Sequence, residues 1–444
     1  MEFFVKIKKN IFIFLFCGPC GCGALFATSL SLDVSAPIAL LINAENGKVL
    51  FSKNAETPCH PASTTKIATA LYALHRKKDS LHEKFVVSSE AVGVVSSPLR
   101  RNGKHPSYRL EFGGTLMGLK VGEEVSLASL LYGLMLPSGN DAANVIAEGI
   151  SGSIPQFIAE LNLFLKEIGC TGTQFTNPHG LTDLDHLTTA KDLVLMAREG
   201  MKYSFFREVV SSAKYVKPAT NKQLETVLAQ HNGLVKPGNK HFYPYATGVK
   251  TGYTAKAGHT LVASATKGDR SLIAMVAHPE GAVQRNRTIV QLFEAAFQEK
   301  KQMRKLFAQE YDLFQQKIEG GKEFLKAILK EDVIVSFYPS EETMFHPKLE
   351  WKSLSLPIRA GQEVGMMLIF DDQGSLTRKV PVIAIKDVEP TFAHQAKQHV
   401  ELAARWMQTK KIYSAYFIAL FLFITAFWKF KPKWFFRQKE SDGA

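Results

Sequence analysis

Residues 37–54, PIALLINAENGKVLFSKN, are two β-rich apolar runs broken at Asn46-Gly47, and the pattern predicts a hairpin. A long middle follows in which apolar residues recur at helical spacing, as in SLASLLYGLMLPSGNDAANVIAEGI and SIPQFIAELNLFLKEIG. Strand character returns at TGVKTGYT, HTLVASAT and SLIAMVAH, separated by short Gly-containing turns. Strands at both ends of a helical middle predict one antiparallel sheet flanked by helices, an α/β (α+β) domain over residues 28–300.

A charged helical stretch, about 289–330, is expected next. Beyond it DVIVSFYP, KLEWKSLSLPI, EVGMMLIF and RKVPVIAIKDV are short strand candidates. Leu349 and Trp351 alternate with Glu350 and Lys352, as on a half-exposed strand. These runs predict a small all-β domain over 311–390, then a helical stalk over 391–411.

The chain carries a formal charge of +13, which would suit a nucleic-acid partner if it were clustered on the folded body. It is not. Residues 1–27 hold a net +2 and residues 409–444 a net +5, leaving +6 for the 381 residues between, with no long basic run. Nucleic acid is therefore set aside, and the ends read as membrane-insertion signals. Lys6, Lys8 and Lys9 precede an apolar run from Ile11 and small residues at Ala24 to Ala27, the layout of a signal peptide over 1–27. Residues 412–428 are uncharged and apolar, near the lower length limit for a transmembrane anchor. Two lysines precede that run and five Lys/Arg follow it, which predicts a cytoplasmic basic tail over 429–444 and a body on the extracytoplasmic, periplasmic side. Of five cysteines, Cys17, Cys20 and Cys22 fall in the signal; Cys59 and Cys170 remain, and export permits but does not require their pairing.

Candidate chemistry begins at HPASTTKIATALYAL, residues 60–74. Pro61 suits a helix start and Ser63 could cap one, yet Ser63 and Lys66 lie three apart on the same face of the first turn. The spacing alone is weak, because Ser211 and Lys214 repeat it. Order and setting add to it. Ser63-x-x-Lys66 opens a helix, Ser138-Gly139-Asn140 falls on a turn between helices, and Lys250-Thr251-Gly252 on a strand, the motif order of penicillin-binding proteins and class A β-lactamases. A serine hydroxyl needs a base, and a lysine one turn away serves only when neutral. Burial, a helix N-terminus and a second cation at Lys250 would each lower its pKa. Backbone N–H groups at Ser63 and just after the third motif could meet a developing oxyanion. Lys250 and Thr251 can hold a carboxylate, Gly252 allows close backbone approach, Ser138 can relay a proton and Asn140 can hold an amide.

With these motifs the chain resembles the serine-type D-alanyl-D-alanine carboxypeptidases, the low-molecular-mass penicillin-binding proteins. The likeness extends through GTLMGLKVGEEVSLASLLYGLMLPSGNDAANVIAE, TQFTNPHGLTDLDHLTTAKDL and GVKTGYTAKAGHTLVASATKGDRSLIAMV. It covers about 37–300 strongly and reaches the β domain and tail more weakly. The resemblance implies a β-lactamase/transpeptidase-like domain, with Ser63 as the acylated nucleophile, Lys66 as base and Ser138 as the third catalytic group. By the same likeness Asn140, Lys250, Thr251, Gly252, Tyr253 and Arg285 bind substrate, Tyr253 through its backbone N–H and Arg285 through the terminal carboxylate. His179 and Asp192 match family positions and are given structural roles. His231 precedes Asn232-Gly233 where the family often has arginine, and Tyr253 stands where a histidine often follows the third motif. The implied partners are a peptidoglycan stem peptide ending in D-Ala-D-Ala, β-lactams as covalent inhibitors, and the membrane.

No cofactor or metal is expected, since the chain has neither an H-E-x-x-H run nor a Cys/His cluster. Three alternatives stay open. A β-lactamase of the class A kind would need a glutamate and an asparagine four apart, whereas Glu160 and Asn162 are two apart. A DD-endopeptidase or transpeptidase would share every motif. A catalytically idle cell-wall-binding protein would use the β domain instead.

Overall fold

The computed structural model describes residues 30–429 other than 97, 100, 101 and 103. The expected signal peptide, with Cys17, Cys20 and Cys22, and the tail from residue 430 lie outside the described residues. The chain divides into two compact units, residues 1–302 with 337–342, and residues 303–336 with 343–444.

In the first unit the predicted hairpin is β1 (Ile38–Asn43) and β2 (Val49–Lys53). Its turn is closed by Gly47 N–H donating to Asn43 O at 3.0 Å, with Gly47 at φ +77°. Helices α1 (Lys66–Lys77), α2 (Leu127–Met135), α3 (Asn140–Ser151), α4 (Ile154–Glu167), α5 (Ala190–Gly200) and α6 (Ser204–Ser211) make up the middle. Serine and threonine caps set three of these starts: Ser126, Ser153 and Thr189 accept from the N–H groups of Ser129, Gln156 and Asp192. Strands β3 (Ala246–Thr254), β4 (Gly258–Lys267) and β5 (Arg270–Ala277) then complete the sheet, and α7 (Gly281–Phe297) closes the unit.

The five strands run in the order β2-β1-β5-β4-β3, antiparallel throughout. The N-terminal hairpin thus docks on the last strand, as the distribution of strand patterns along the chain predicts. Both faces of the sheet are covered, which is why β1 and β5 read as nearly continuous apolar runs. Ile38, Leu40 and Ile42 of β1 join the core under the helical middle, whereas Ala39 and Leu41 pack with Leu292 and Phe293 of α7. Helix α1 is buried without a break from Lys66 to Leu74, at the centre of the helical layer. At the far edge, among the described residues, β3 pairs only with β4, so alternate backbone groups along its other side point away from the ladder.

The second unit corrects one expectation. The charged helix predicted for 289–330 ends at Phe297, and strands Gln302–Phe307, Leu313–Gln316 and Leu325–Leu329 replace its remainder. The physical reason is period: Leu325, Ala327 and Leu329 are buried and alternate with half-buried Lys326 and Ile328, a strand pattern hidden among lysines and glutamines. Strand Leu325–Leu329 belongs to a five-stranded sheet with Leu313–Gln316, His346–Trp351, Glu363–Phe370 and Leu376–Ala384. A single helix, Phe392–Lys429, follows. Among the described residues it alone is long and apolar enough to cross a membrane, and it fits an anchoring role.

Candidate active site

The nucleophile candidate sits on a 3₁₀ turn, Ala62–Thr65, that runs directly into α1 at Lys66. Ser63 makes no capping hydrogen bond there, so the cap reading of Ser63 is not realised. Ala62, just before it, is held at φ +51°, a left-handed conformation that non-glycine residues rarely adopt.

Lys66 is completely buried, and its Nζ has three neighbours: Ser63 Oγ at 3.0 Å, Asn140 Oδ1 at 2.7 Å and the backbone oxygen of His179 at 2.7 Å. The first and second motifs therefore meet at one amine. Burial holds the Lys66 pKa well below its usual value, the Lys250 charge pushes it further down, and Asp141 opposes them. Ser138, on the turn between α2 and α3, is held at φ +69° with its hydroxyl buried and without a hydrogen-bond partner. Such a buried, unpaired hydroxyl on a strained residue is a feature that functional sites retain.

Lys250 is also fully buried, with Nζ donating to Thr251 O at 3.1 Å. Its pKa falls to about 7, through burial first and then the charge of Arg285. Arg285, on the first turns of α7, is itself lowered to about 10 by burial, and its Nε donates to Asn286 Oδ1 at 3.2 Å. Three basic side chains thus crowd into one buried region, and Arg285, with Lys250 when protonated, favours an anionic ligand. Tyr253, the residue after the third motif, is 61% exposed, with its ring 4.6 Å from that of His259.

Gly252 marks where the strand meets the turn carrying Ser63. A Cβ there would lie 2.3 Å from Thr260 Oγ1 and 3.0 Å from both Pro61 O and Ser63 N. The glycine is required by the fold itself, because β3 packs directly on the turn carrying Ser63. This contact is a reason for glycine separate from the substrate approach expected from the sequence.

The competing sequence features lie elsewhere. Ser211 closes α6, donating to Arg207 O at 2.7 Å, and Lys214 is exposed on a short strand. Glu160 accepts from Tyr72, Arg76, Ser151 and Gln156, and Asn162 exchanges two hydrogen bonds with the backbone of Phe175. Neither is placed to activate water at Ser63. Asp192 accepts from Gly172 N and Thr173 Oγ1 inside the fold. Cys59 and Cys170 are buried free thiols, and burial pushes Cys59 up to about 11.

Two contributions escaped the sequence reading, which gave His179 a structural role and did not single out Asp141. His179 contributes its backbone oxygen to Lys66, while its ring nitrogens meet Tyr108 O at 3.0 Å and Leu181 N at 3.2 Å. Asp141, adjacent to the second motif, accepts from the N–H groups of Met117, Gly118 and Leu119 and pins that loop beside Asn140. His231 lies near enough to Lys250 for that charge, after burial, to lower its pKa.

The sequence profile of the D-alanyl-D-alanine carboxypeptidases matches residues 26–280. The chain belongs to this family. A second profile, the C-terminal domain of penicillin-binding protein 5, matches residues 302–390. The D-alanyl-D-alanine carboxypeptidase DacF of Bacillus subtilis is 32% identical over 361 residues, covering 80% of this chain and 86% of the relative. DacC of Escherichia coli is 32% identical over 275 residues, 60% of this chain and 62% of the relative. Among solved structures, the Streptomyces K15 DD-transpeptidase superposes with a TM-score of 0.53 at 28% identity, covering 61% of this chain and 99% of that one. Penicillin-binding protein 5 of Haemophilus influenzae gives 0.54 at 24% identity over 81% of this chain and 99% of its own, a likeness of fold. The protein is a serine-type D-Ala-D-Ala carboxypeptidase, a hydrolase with a transpeptidase-like domain followed by an all-β domain.

Proposed function

We propose that this carboxypeptidase removes the terminal D-alanine from peptidoglycan stem pentapeptides through an acyl-enzyme on Ser63. The setting of Lys66 carries the proposal. A neutral amine has two N–H bonds and one lone pair. Asn140 Oδ1 and His179 O, each 2.7 Å away, accept the two N–H bonds, and the lone pair is left for the Ser63 hydroxyl at 3.0 Å.

Lys66 takes the Ser63 proton as Oγ bonds to the carbonyl carbon between the two D-alanines. The N–H groups of Ser63 and Tyr253 receive the oxyanion, an effect of about 10²–10³ in rate per donor. The tetrahedral species collapses, the C–N bond breaks, and the proton passes from Lys66 through Ser138 to the departing amine. Lys250, Thr251 and Arg285 hold the terminal carboxylate, Asn140 a substrate amide, and Gly252 keeps the strand against the nucleophile. Water deprotonated by Lys66 then cleaves the ester, and Ser63 regains its proton. β-Lactams open by the same attack and stay attached, because the leaving nitrogen remains tethered to the acyl group and does not vacate the site for water.

The proposed layout is a signal peptide over 1–27, a catalytic domain over 28–300, a β domain over 311–390, a stalk over 391–411, an anchor over 412–428 and a cytoplasmic tail over 429–444. The lysine and arginine excess after the anchor supports a body outside the cytoplasm. The likeness to a protein described as a DD-transpeptidase favours a second acceptor, with an amine replacing water at the ester. Incubation with a stem pentapeptide tests the main reading: wild type should release D-alanine and tetrapeptide, and Ser63→Ala should release neither. Equal release by the two proteins would overturn it.

A further inference from the structure

Outside the three motifs, a buried histidine is wired to the residue that aims the nucleophile. His186 is 1% exposed, with its ring 4.7 Å from that of Phe175 and nearly parallel to it. Its Nδ1 lies 3.0 Å from the backbone N of Thr176, a group that can only donate. Nδ1 is therefore the acceptor, and the ring proton sits on Nε2. That N–H donates to Thr65 Oγ1 at 2.9 Å. The Thr65 hydroxyl, with its acceptor side used, donates to Ala62 O at 2.9 Å. The chain of bonds has one possible direction, from the Thr176 amide through His186 and Thr65 to the carbonyl of Ala62.

Ala62 is the left-handed residue immediately before Ser63, and its φ of +51° sets the direction in which the serine leaves the backbone. Two more contacts clamp the same spot. The backbone of Gly180 packs against Ala62 O so closely that a Cβ there would lie 1.8 Å from that oxygen. The segment carrying His186 also pairs with the chain before Pro61, through the reciprocal bonds of Cys59 and Thr188 at 2.8 and 3.0 Å. Neither clamp donates a hydrogen bond to Ala62 O; the Thr65 hydroxyl does.

We propose that His186 is a positioning residue, acting through the Thr65 hydroxyl to hold Ala62 in its left-handed conformation so that Ser63 Oγ faces Lys66 Nζ. The inference rests on Ser63 being the acylated residue. It separates orientation of the nucleophile from its activation: Lys66 supplies the base, and the His186–Thr65 pair supplies the angle. Removing the relay should slow the acylation step without weakening the non-covalent complex, because neither side chain is placed to touch substrate.

The test uses labelled penicillin on the full chain, with saturation kinetics that separate non-covalent affinity from the acylation rate, and with the folded fraction counted by end-point labelling. Thr65→Val preserves shape and removes the hydroxyl; its acylation rate should fall about 10- to 100-fold with the non-covalent constant unchanged. Thr65→Ser keeps the hydroxyl and should recover most of the rate. His186→Gln, which can still donate to Thr65 from a longer and softer side chain, should fall between them. If Thr65→Val acylates like wild type per folded molecule, or if Thr65→Ser is equally slow, the relay does not position the serine. Should wild type itself take up no penicillin, the acyl-enzyme reading fails first, and that result is distinct.

Discussion

The closeness of β3 to the nucleophile turn can be tested by adding one carbon. In Gly252→Ala the new methyl would lie 2.3 Å from Thr260 Oγ1 and 3.0 Å from Pro61 O and Ser63 N. Carbon contacts settle at about 3.5 Å or more, so the Thr260 contact alone must open by about 1 Å. Rotating Thr260 would achieve that at the loss of its 3.1 Å hydrogen bond to Pro61 O, costing about 1 kcal/mol. Rotation cannot relieve the two backbone contacts, so the strand must also withdraw from Ser63. Overpacking of this kind costs about 1–3 kcal/mol of stability. In a domain of this size about 2 kcal/mol lowers Tm by roughly 4–8 °C. The two backbone contacts at 3.0 Å must open by about 0.5 Å, and since about 1 Å at the reacting centre costs about 10²-fold in rate, this shift costs about 10-fold. Penicillin labelling followed over time should therefore show acylation slowed about 10-fold, with the unfolding midpoint lowered by several degrees. Adding Thr260→Ala should restore part of the midpoint and little of the rate, since the contacts with Pro61 and Ser63 persist. A folded Gly252→Ala enzyme acylated at the wild-type rate would refute the reasoning, because catalysis would then not depend on the strand meeting the turn.

The crowded cations make further predictions. Lys250→Met removes a positive charge that depresses Lys66, so the acid limb of the acylation pH profile should move to higher pH; Asp141→Asn removes the opposing negative charge and should move it to lower pH. Lys250 also carries a stability cost. With its pKa lowered from 10.5 to about 7, the unfolded chain binds the extra proton between those values, so stability rises with pH across that window. At pH 7.5 the cost is about 4 kcal/mol, and Lys250→Met should unfold at a higher temperature with that pH dependence lost. Arg285→Gln should lower kcat/KM on a pentapeptide with a free carboxylate by about 30- to 100-fold, or about 2–3 kcal/mol. It should leave the carboxyl-amidated peptide nearly unaffected, and an equal loss on both peptides would remove Arg285 from carboxylate binding.

The sheet and the motif residues were legible because their signals are local. Period-2 apolar runs mark the strands, and Ser63 lies one turn from Lys66. The strand Leu325–Leu329 was hidden because it is short, carries Lys326 and lies between charged neighbours, which reads as a charged helix when composition outweighs period. Distant partners of Lys66 were not legible in the same way. Asn140 is 74 residues away, and His179, 113 residues away, contributes a backbone oxygen that any residue type would supply. His186 and Thr65 are likewise 121 residues apart, and only the folded turn shows that their bond ends on the carbonyl before the nucleophile.

The central claim is that Ser63 forms the acyl-enzyme. The most direct measurement is trypsin digestion of penicillin-labelled protein with mass spectrometry of the fragments. The adduct is expected on the fragment of residues 54–66, at Ser63, with none in Ser63→Ala. An adduct on the fragment of residues 208–214, which carries the other Ser-x-x-Lys pair, or on Ser138, would contradict the account.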